Sequence, residues 1–219
     1  MLKRCFDAAF AAAVLLIGGP LFGLIALLIV CDSGLPVFYS QERVGRGFCR
    51  FRILKFRTMR MGGPGRRITV AGDPRVTRVG RILRAAKLDE VPQFWNVLKG
   101  EMSLVGPRPE IPDYVDMFVY RYRHILAIRP GITDLASIRF RNEELILARA
   151  SDPMREYARA VLPAKLDLAD EYLRTRSLRT DLGILVRTLG VTLHWIPPGA
   201  EDAGASPQSP GSKSLPCPE

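Results

Sequence analysis

Apolar residues run almost without interruption from Phe6 to Val30, with Asp7 the charged exception, and the run is long enough for a membrane-crossing helix. Lys3 and Arg4 precede it, as in a signal peptide. The apolar stretch exceeds a usual signal core, however, and no small-residue cleavage site follows, so retention is expected. Gly18-Gly19-Pro20 interrupts the pattern midway. Proline removes one helical hydrogen bond and crowds the preceding turn, which predicts a bend or break at 18–20. Two designs stay open: a bent helix that crosses, or a helix–break–helix that enters and leaves on one face.

Asp32-Ser33-Gly34-Leu35-Pro36 reads as a turn. Alternating positions over 37–48 and 51–59, with Gly45 and Gly47 between them, predict a β-hairpin or two short strands. Gly62, Gly63, Pro64 and Gly65 mark a surface loop over 61–67. A basic amphipathic stretch follows, in which Ile82, Leu83 and Leu88 alternate with Arg81, Arg84 and Lys87. It is a solvated face or a membrane-surface patch. Helices are predicted near 90–99, 111–125, 142–150 and 153–174, the last divided by Pro163. Tyr114, Phe118 and Tyr122 are read as core. Leu178, Leu182, Leu185, Val186, Leu189, Leu193 and Ile196 form one stripe, which covers the core or rests on lipid with Trp195 at headgroup level. From Pro197 on, Pro, Gly, Ser and Ala dominate, as in a disordered tail.

Composition narrows the partners. The 219 residues carry 32 Lys plus Arg against 22 Asp plus Glu, a net charge of +10. That excess suits a polyanion: nucleic acid, anionic lipid or a phosphorylated substrate. Zinc-finger spacing and RNA-binding aromatic motifs are both missing, which disfavours nucleic acid. Cysteines 5, 31, 49 and 217 are far apart and imply neither a disulfide framework nor a zinc site.

The chemistry concentrates between Lys87 and Glu110. Asp89 and Glu90 stand before Pro92, a residue suited to a first helical turn, and Gly100 reads as the helix stop. A Gly-Pro-Arg-Pro turn at 106–109 follows. A carboxylate can attack phosphorus or bind Mg²⁺, and Arg108 can grip phosphate oxygens through two parallel hydrogen bonds. Adjacent helical residues do not share a face, so Asp89 and Glu90 are expected to have separate roles. An acidic capping pair ahead of a rigid turn is the plain alternative.

The block from Leu88 to Glu110 resembles the bacterial sugar transferase family, the monotopic phosphoglycosyl transferases. So do Gln41-x-Arg43-x-Gly45, Lys55 to Met59, the Asp73-Pro74-Arg75-x-Thr77-Arg78 stretch and Arg129 to Thr133. The likeness spans about Lys3 to Leu193. Two positions depart from it: Gly19-Pro20 stands where relatives commonly have Ser-Pro, and Asp134-Leu135-Ala136-Ser137 replaces Gly-Leu-Ala-Gln.

The resemblance implies a mixed α+β (α/β) fold: a re-entrant membrane anchor over 1–34, a catalytic domain over 35–196 with a small hairpin or sheet and interfacial helices, and a tail over 197–219. It implies transfer of a sugar 1-phosphate from a UDP-sugar to a polyprenyl (undecaprenyl) phosphate, with release of UMP, as the first membrane step of surface glycan assembly. Asp89 would be the nucleophile and Glu90 a Mg²⁺ ligand. Arg108, Lys55, Arg57, Arg75 and Arg78 would meet phosphate. Lys3, Arg4, Arg84, Lys87 and Trp195 would sit at an anionic phospholipid surface, with the catalytic domain on the cytoplasmic face of the bacterial inner membrane. A homodimer is left open. The alternatives are a Mg²⁺-dependent membrane-bound nucleotide-sugar hydrolase or phosphatase, and a non-catalytic basic membrane scaffold.

Overall fold

The computed structural model describes residues 2–61 and 70–192. The expected loop at 62–67, the end of the C-terminal stripe, Trp195 and the tail therefore lie outside the described residues.

Helix α1 (Leu2–Ser33) is continuous and includes Pro20. At 1.5 Å per residue it is about 48 Å long. The break expected at 18–20 is thus not an interruption of the helix: long apolar runs on both sides sustain it across one missing hydrogen bond. Very little of its most apolar stretch is buried, and Leu16 and Ile17 are 79% and 82% exposed.

Both ends of α1 are nonetheless fastened to the rest of the protein. At the start, Lys3 Nζ donates to the Val105 carbonyl (3.1 Å) and pairs with Asp181. Arg4 donates to the carbonyls of Val97 and Leu98 at 2.5 and 2.8 Å, and Ser103 Oγ donates to Asp7 Oδ2 at 2.7 Å. Burial of Asp7 is therefore satisfied by a hydroxyl. At the far end, Ile25 and Ile29 pack with Phe56 and Leu83. Val79 N donates to Asp32 there at 3.0 Å.

Strands β1 (Phe38–Val44) and β2 (Arg50–Phe56) pair antiparallel, from Phe38 opposite Phe56 to Val44 opposite Arg50, as the alternation predicted. Helix α2 (Arg78–Ala85) begins at Thr77, whose hydroxyl accepts from Gly80 N at 2.9 Å. A 3₁₀ turn (Leu88–Glu90) then leads to α3 (Gln93–Lys99), closed by left-handed Gly100 at φ 85°. Asp89 and Glu90 therefore do not sit on the first turn of α3. Pro92 has no N–H to carry the ladder back across the junction, so helix and turn stay distinct.

A parallel pair, β3 (Ser103–Val105) and β4 (Gly131–Thr133), was not foreseen, because three-residue strands carry too little alternation to register. Their neighbours are glycines for a steric reason: a Cβ on Gly131 would stand 2.1 Å from Gly106 N. The region expected as one helix over 111–125 is two, α4 (Pro112–Met117) and α5 (Val119–Ile125), split at Phe118. Tyr114 and Tyr122 are buried in the core.

Helix α6 (Leu135–Arg139) leads to α7 (Glu143–Ala148) and α8 (Pro153–Glu156). A π turn (Tyr157–Val161) precedes α9 (Leu162–Thr175), with Pro163 in its first turn. The wider turn accommodates the Arg159 carbonyl, which Pro163 cannot bond. In α10 (Leu178–Thr192), Ile184 is buried while Leu178, Leu182, Val186 and Leu189 are 49–61% exposed. Leu178, Leu182, Val186 and Leu189 of the stripe read from the sequence form this outward face, while Leu185 packs against the core.

Candidate active site

The 3₁₀ turn that carries the two acids is set against the anchor. Leu88 packs on the cluster of Ile25, Ile29, Phe56 and Leu83, and Lys87 takes a left-handed conformation (φ 56°) at the turn's start. Asp89 is thereby held at 8% exposure, and its Oδ1 is buried without a hydrogen-bond partner. Burial pushes its carboxyl pKa up and the adjacent Glu90 charge adds to this, while Lys55, Lys87 and Arg84 pull the other way. A desolvated carboxylate oxygen with no donor is a strong nucleophile or cation ligand when ionised.

Glu90 is arranged differently. Lys55 Nζ donates to its Oε1 at 2.8 Å, and Arg108 grips it with both terminal nitrogens, Nη1 to Oε2 at 3.2 Å and Nη2 to Oε1. Burial alone would raise its pKa, but Arg108 and Lys55 together hold it well below the usual carboxylate range. Glu90 raises the Arg108 pKa in turn. Burial lowers that of Lys55, against the attraction of Glu90. Two neighbouring carboxyls thus have opposite environments, which is how one site separates two roles. Neither Lys55 nor Arg108 is fully enclosed (21% and 31% side-chain exposure), so both remain reachable from solvent.

The turn that presents Arg108 is braced from two sides. Gly131 N donates to the Pro107 carbonyl and Gly106 N to the Thr133 carbonyl, at 3.0 and 3.1 Å. On the other side Arg43 donates to the Pro109 carbonyl and to Glu110 Oε2, both at 3.1 Å, and Tyr157 donates to Glu110 Oε1 at 2.5 Å. Arg43 also holds Gln41 Oε1 at 2.9 Å, so the Gln-x-Arg motif acts as a strut beneath the turn.

Arg57 and Arg75, also expected at phosphate, have protein partners. Arg57 is 5% exposed and donates to the carbonyls of Ser33, Gly34 and Leu35, closing the C-terminus of α1. Arg75 is bound to Asp73 through Nε and Nη2. Arg78 opens α2 on its exposed side. Among the residues expected at lipid, Lys3 and Arg4 are engaged as described. Arg84 bonds Thr58 Oγ1 (3.0 Å) and Glu144 Oε1 (2.9 Å), while Lys87 is exposed beside Asp89. Lys3, Arg4 and Arg57 answer carbonyls that need donors, a demand invisible in sequence.

Sequence reading missed Asp134. Its carboxylate accepts from Arg108 N at 3.0 Å and from Ser137 N at 2.6 Å, so it caps α6 and fixes the backbone of the clamp at once. An Asp three residues before a backbone N–H donor was the available signal. Asp134→Ala is expected to cost about 1 kcal/mol in stability and to raise the KM for a phosphate-bearing donor more than it lowers kcat. Thermal unfolding and steady-state kinetics read the two effects.

Among the described residues no group of three or more His, Cys, Asp or Glu side chains forms a metal cage. The donor set fits a phosphate-borne Mg²⁺, which keeps its waters and takes one or two carboxylates. The candidate ligands are the carboxylates of the 88–90 turn: Glu90, which also holds Lys55 and Arg108, and the second oxygen of Asp89.

A family model described as bacterial sugar transferase matches residues 1–195. The chain is 42% identical over 192 residues to the UDP-glucose:undecaprenyl-phosphate glucose-1-phosphate transferase of Caulobacter vibrioides, an alignment covering 85% of this chain and 68% of that protein. It is 35% identical over 206 residues to the exopolysaccharide production protein ExoY of Rhizobium meliloti, covering 86% and 84%. Against the UDP-N-acetylgalactosamine-undecaprenyl-phosphate N-acetylgalactosaminephosphotransferase of Aeromonas hydrophila, 45% identity extends over 63% of this chain but only 34% of that longer protein.

Proposed function

The chain belongs to the bacterial sugar transferase family, and on that premise we propose that it transfers a sugar 1-phosphate from a UDP-sugar to undecaprenyl phosphate. The observation that carries this reading is the desolvated, unpartnered Oδ1 of Asp89 beside the Glu90–Lys55–Arg108 cluster. Asp89 Oδ1 attacks the β-phosphorus of the donor. A carboxylate–phosphorus bond forms, the bridging P–O bond breaks, and UMP leaves with its electron pair. An oxygen of the acceptor phosphate then attacks the same phosphorus, which frees Asp89 and yields the diphosphate-linked sugar. Arg108 and Lys55, already poised against Glu90, hold phosphate oxygens through the displacement. The carboxylates of the Asp89–Glu90 turn would hold Mg²⁺, and the chemistry it would supply there is neutralisation of charge on the leaving group.

Membrane insertion is read as monotopic, with both ends of α1 on one face. The support is that Lys3, Arg4 and Asp7 at one end and Ile25, Ile29 and Asp32 at the other all contact the same domain. A spanning helix would put one end about 30 Å of hydrocarbon away from the other. Single cysteines at positions 2 and 34, in a background lacking the native thiols, are expected to react with an impermeant thiol reagent from the cytoplasmic face alone. Labelling of position 2 from the opposite face would overturn this topology.

The activity test pairs the full chain in lipid with Mg²⁺, undecaprenyl phosphate and a panel of UDP-sugars. UMP release together with a lipid-linked product is expected for at least one donor. Sugar phosphate released without lipid product would indicate a hydrolase, and no turnover with any donor a scaffold.

A further inference from the structure

A second concavity opens beside the catalytic turn. Its volume is about 310 Å³ and its lining is apolar throughout, with Leu54, Pro92, Trp95 and three phenylalanines among the residues around it. That volume lies at the lower end of small-ligand pockets, roughly 300–1,000 Å³. Unlike those, it has no convergent polar groups, so a nucleotide or sugar has nothing to bond there. Phe38 stacks on Phe56 at 5.4 Å between centroids, and Phe22 of α1 meets Phe56 at 6.3 Å. Trp95 and Phe38 are half-exposed (50% and 49%), an unusual state for large rings unless something covers them.

Two continuities identify the occupant. At one end is Pro92, three residues after Asp89, and Phe22 and Phe56 pack in the same cluster as Leu88. At the other end the wall is α1 itself, whose Leu16, Ile17, Leu21 and Leu24 are exposed. The groove therefore joins an apolar surface to a site with two cations. A molecule that fits must carry an anionic head and an apolar tail.

On the transferase reading, we propose that this groove binds the head-proximal isoprene units of the polyprenyl phosphate acceptor, with Trp95 and Phe38 as its specificity-determining residues. Flat aromatic faces suit a branched, unsaturated chain, and the groove sets the acceptor phosphate at the height of Asp89. It also gives a reason for the Val91–Pro92 junction. The kink between turn and helix places Asp89 toward the cation cluster and Trp95 toward lipid.

The test uses the full chain in nanodiscs of phosphatidylethanolamine and phosphatidylglycerol, with a benzophenone-tagged isoprenyl phosphate as photoprobe. Adducts are expected in the peptides that carry Phe38 and residues 92–95. Untagged isoprenyl phosphate should compete them away, and a straight-chain alkyl phosphate of equal carbon number should not. In kinetics, Trp95→Ala is expected to raise the acceptor KM about tenfold and the donor KM less than twofold. Adducts elsewhere, equal competition by the straight chain or by phospholipid, or an equal rise in both KM values would overturn the assignment. If the wild type makes no product with any donor, the transferase reading falls, while the cross-link map still decides the groove.

Discussion

Asp89→Asn is expected to abolish transfer, with a loss of roughly 10³-fold or more, and at the same time to make the protein more stable. Asp89 is a buried carboxyl with one oxygen that no donor meets. Ionised, it is a cost to the folded state, and the neutral amide removes that cost. A gain of about 1 kcal/mol is expected, equivalent to about 2–4 °C in Tm for a chain of this size. The sign with pH follows from the direction of the shift. Burial raises the folded-state pKa of Asp89 above its unfolded value of about 3.9. Below that unfolded value both states hold the proton and wild type equals variant. As pH rises above it the unfolded carboxyl ionises first, so wild type loses relative stability and the gap opens until pH passes the folded pKa, where it levels off. On the nucleophile reading it is ionisation of the folded carboxyl that generates activity, so the wild-type rate should climb at the upper end of that interval, where the Tm gap levels off. Parallel pH series of Tm and UMP release check this. A variant that is inactive but no more stable at neutral pH would show that Asp89 is satisfied by an interaction other than substrate.

Glu90→Ala should do the reverse. It removes the shared partner of Lys55 and Arg108, which then face each other in a partly desolvated site. Breaking a buried pair from one side costs about 3–5 kcal/mol; partial exposure of both cations places the expectation at the lower bound, about 3 kcal/mol, or roughly 6–12 °C. Here the folded pKa is depressed, so Glu90 contributes its full stabilisation above its unfolded pKa. That contribution is lost as pH falls through the folded value, so wild type and variant converge only under strongly acidic conditions. Glu90→Gln, which keeps volume and one acceptor, should lose less. Thermal unfolding across pH separates the two, and a Glu90→Ala protein as stable as wild type would refute the clamp.

The two acids thus differ in how far the sequence revealed them. Their position, the stop at Gly100, the rigid turn at 106–109 and the hairpin at 38–56 all follow from local signals: proline, glycine and alternation. What local signals do not carry is which group satisfies which. Arg57 looks like a phosphate ligand in its motif, yet three carbonyls at the end of α1 claim it. Nothing local to Glu90 reveals that Lys55, 35 residues earlier, closes on it. Asp134 is a departure from the resemblance until the Arg108 N–H, 26 residues before it, is seen to need an acceptor. All three cases turn on partners distant in sequence, side chain as well as backbone.

The tie between Lys3 and Asp181 spans 178 residues. During synthesis, at about 5–20 residues per second, the apolar helix leaves the ribosome long before its partner exists. On the monotopic reading lipid covers it first, and insertion precedes closure of the domain. A chain cut short of Asp181 should still associate with the bilayer while its first turns swing loose, because α10, the last of the described helices, locks the first.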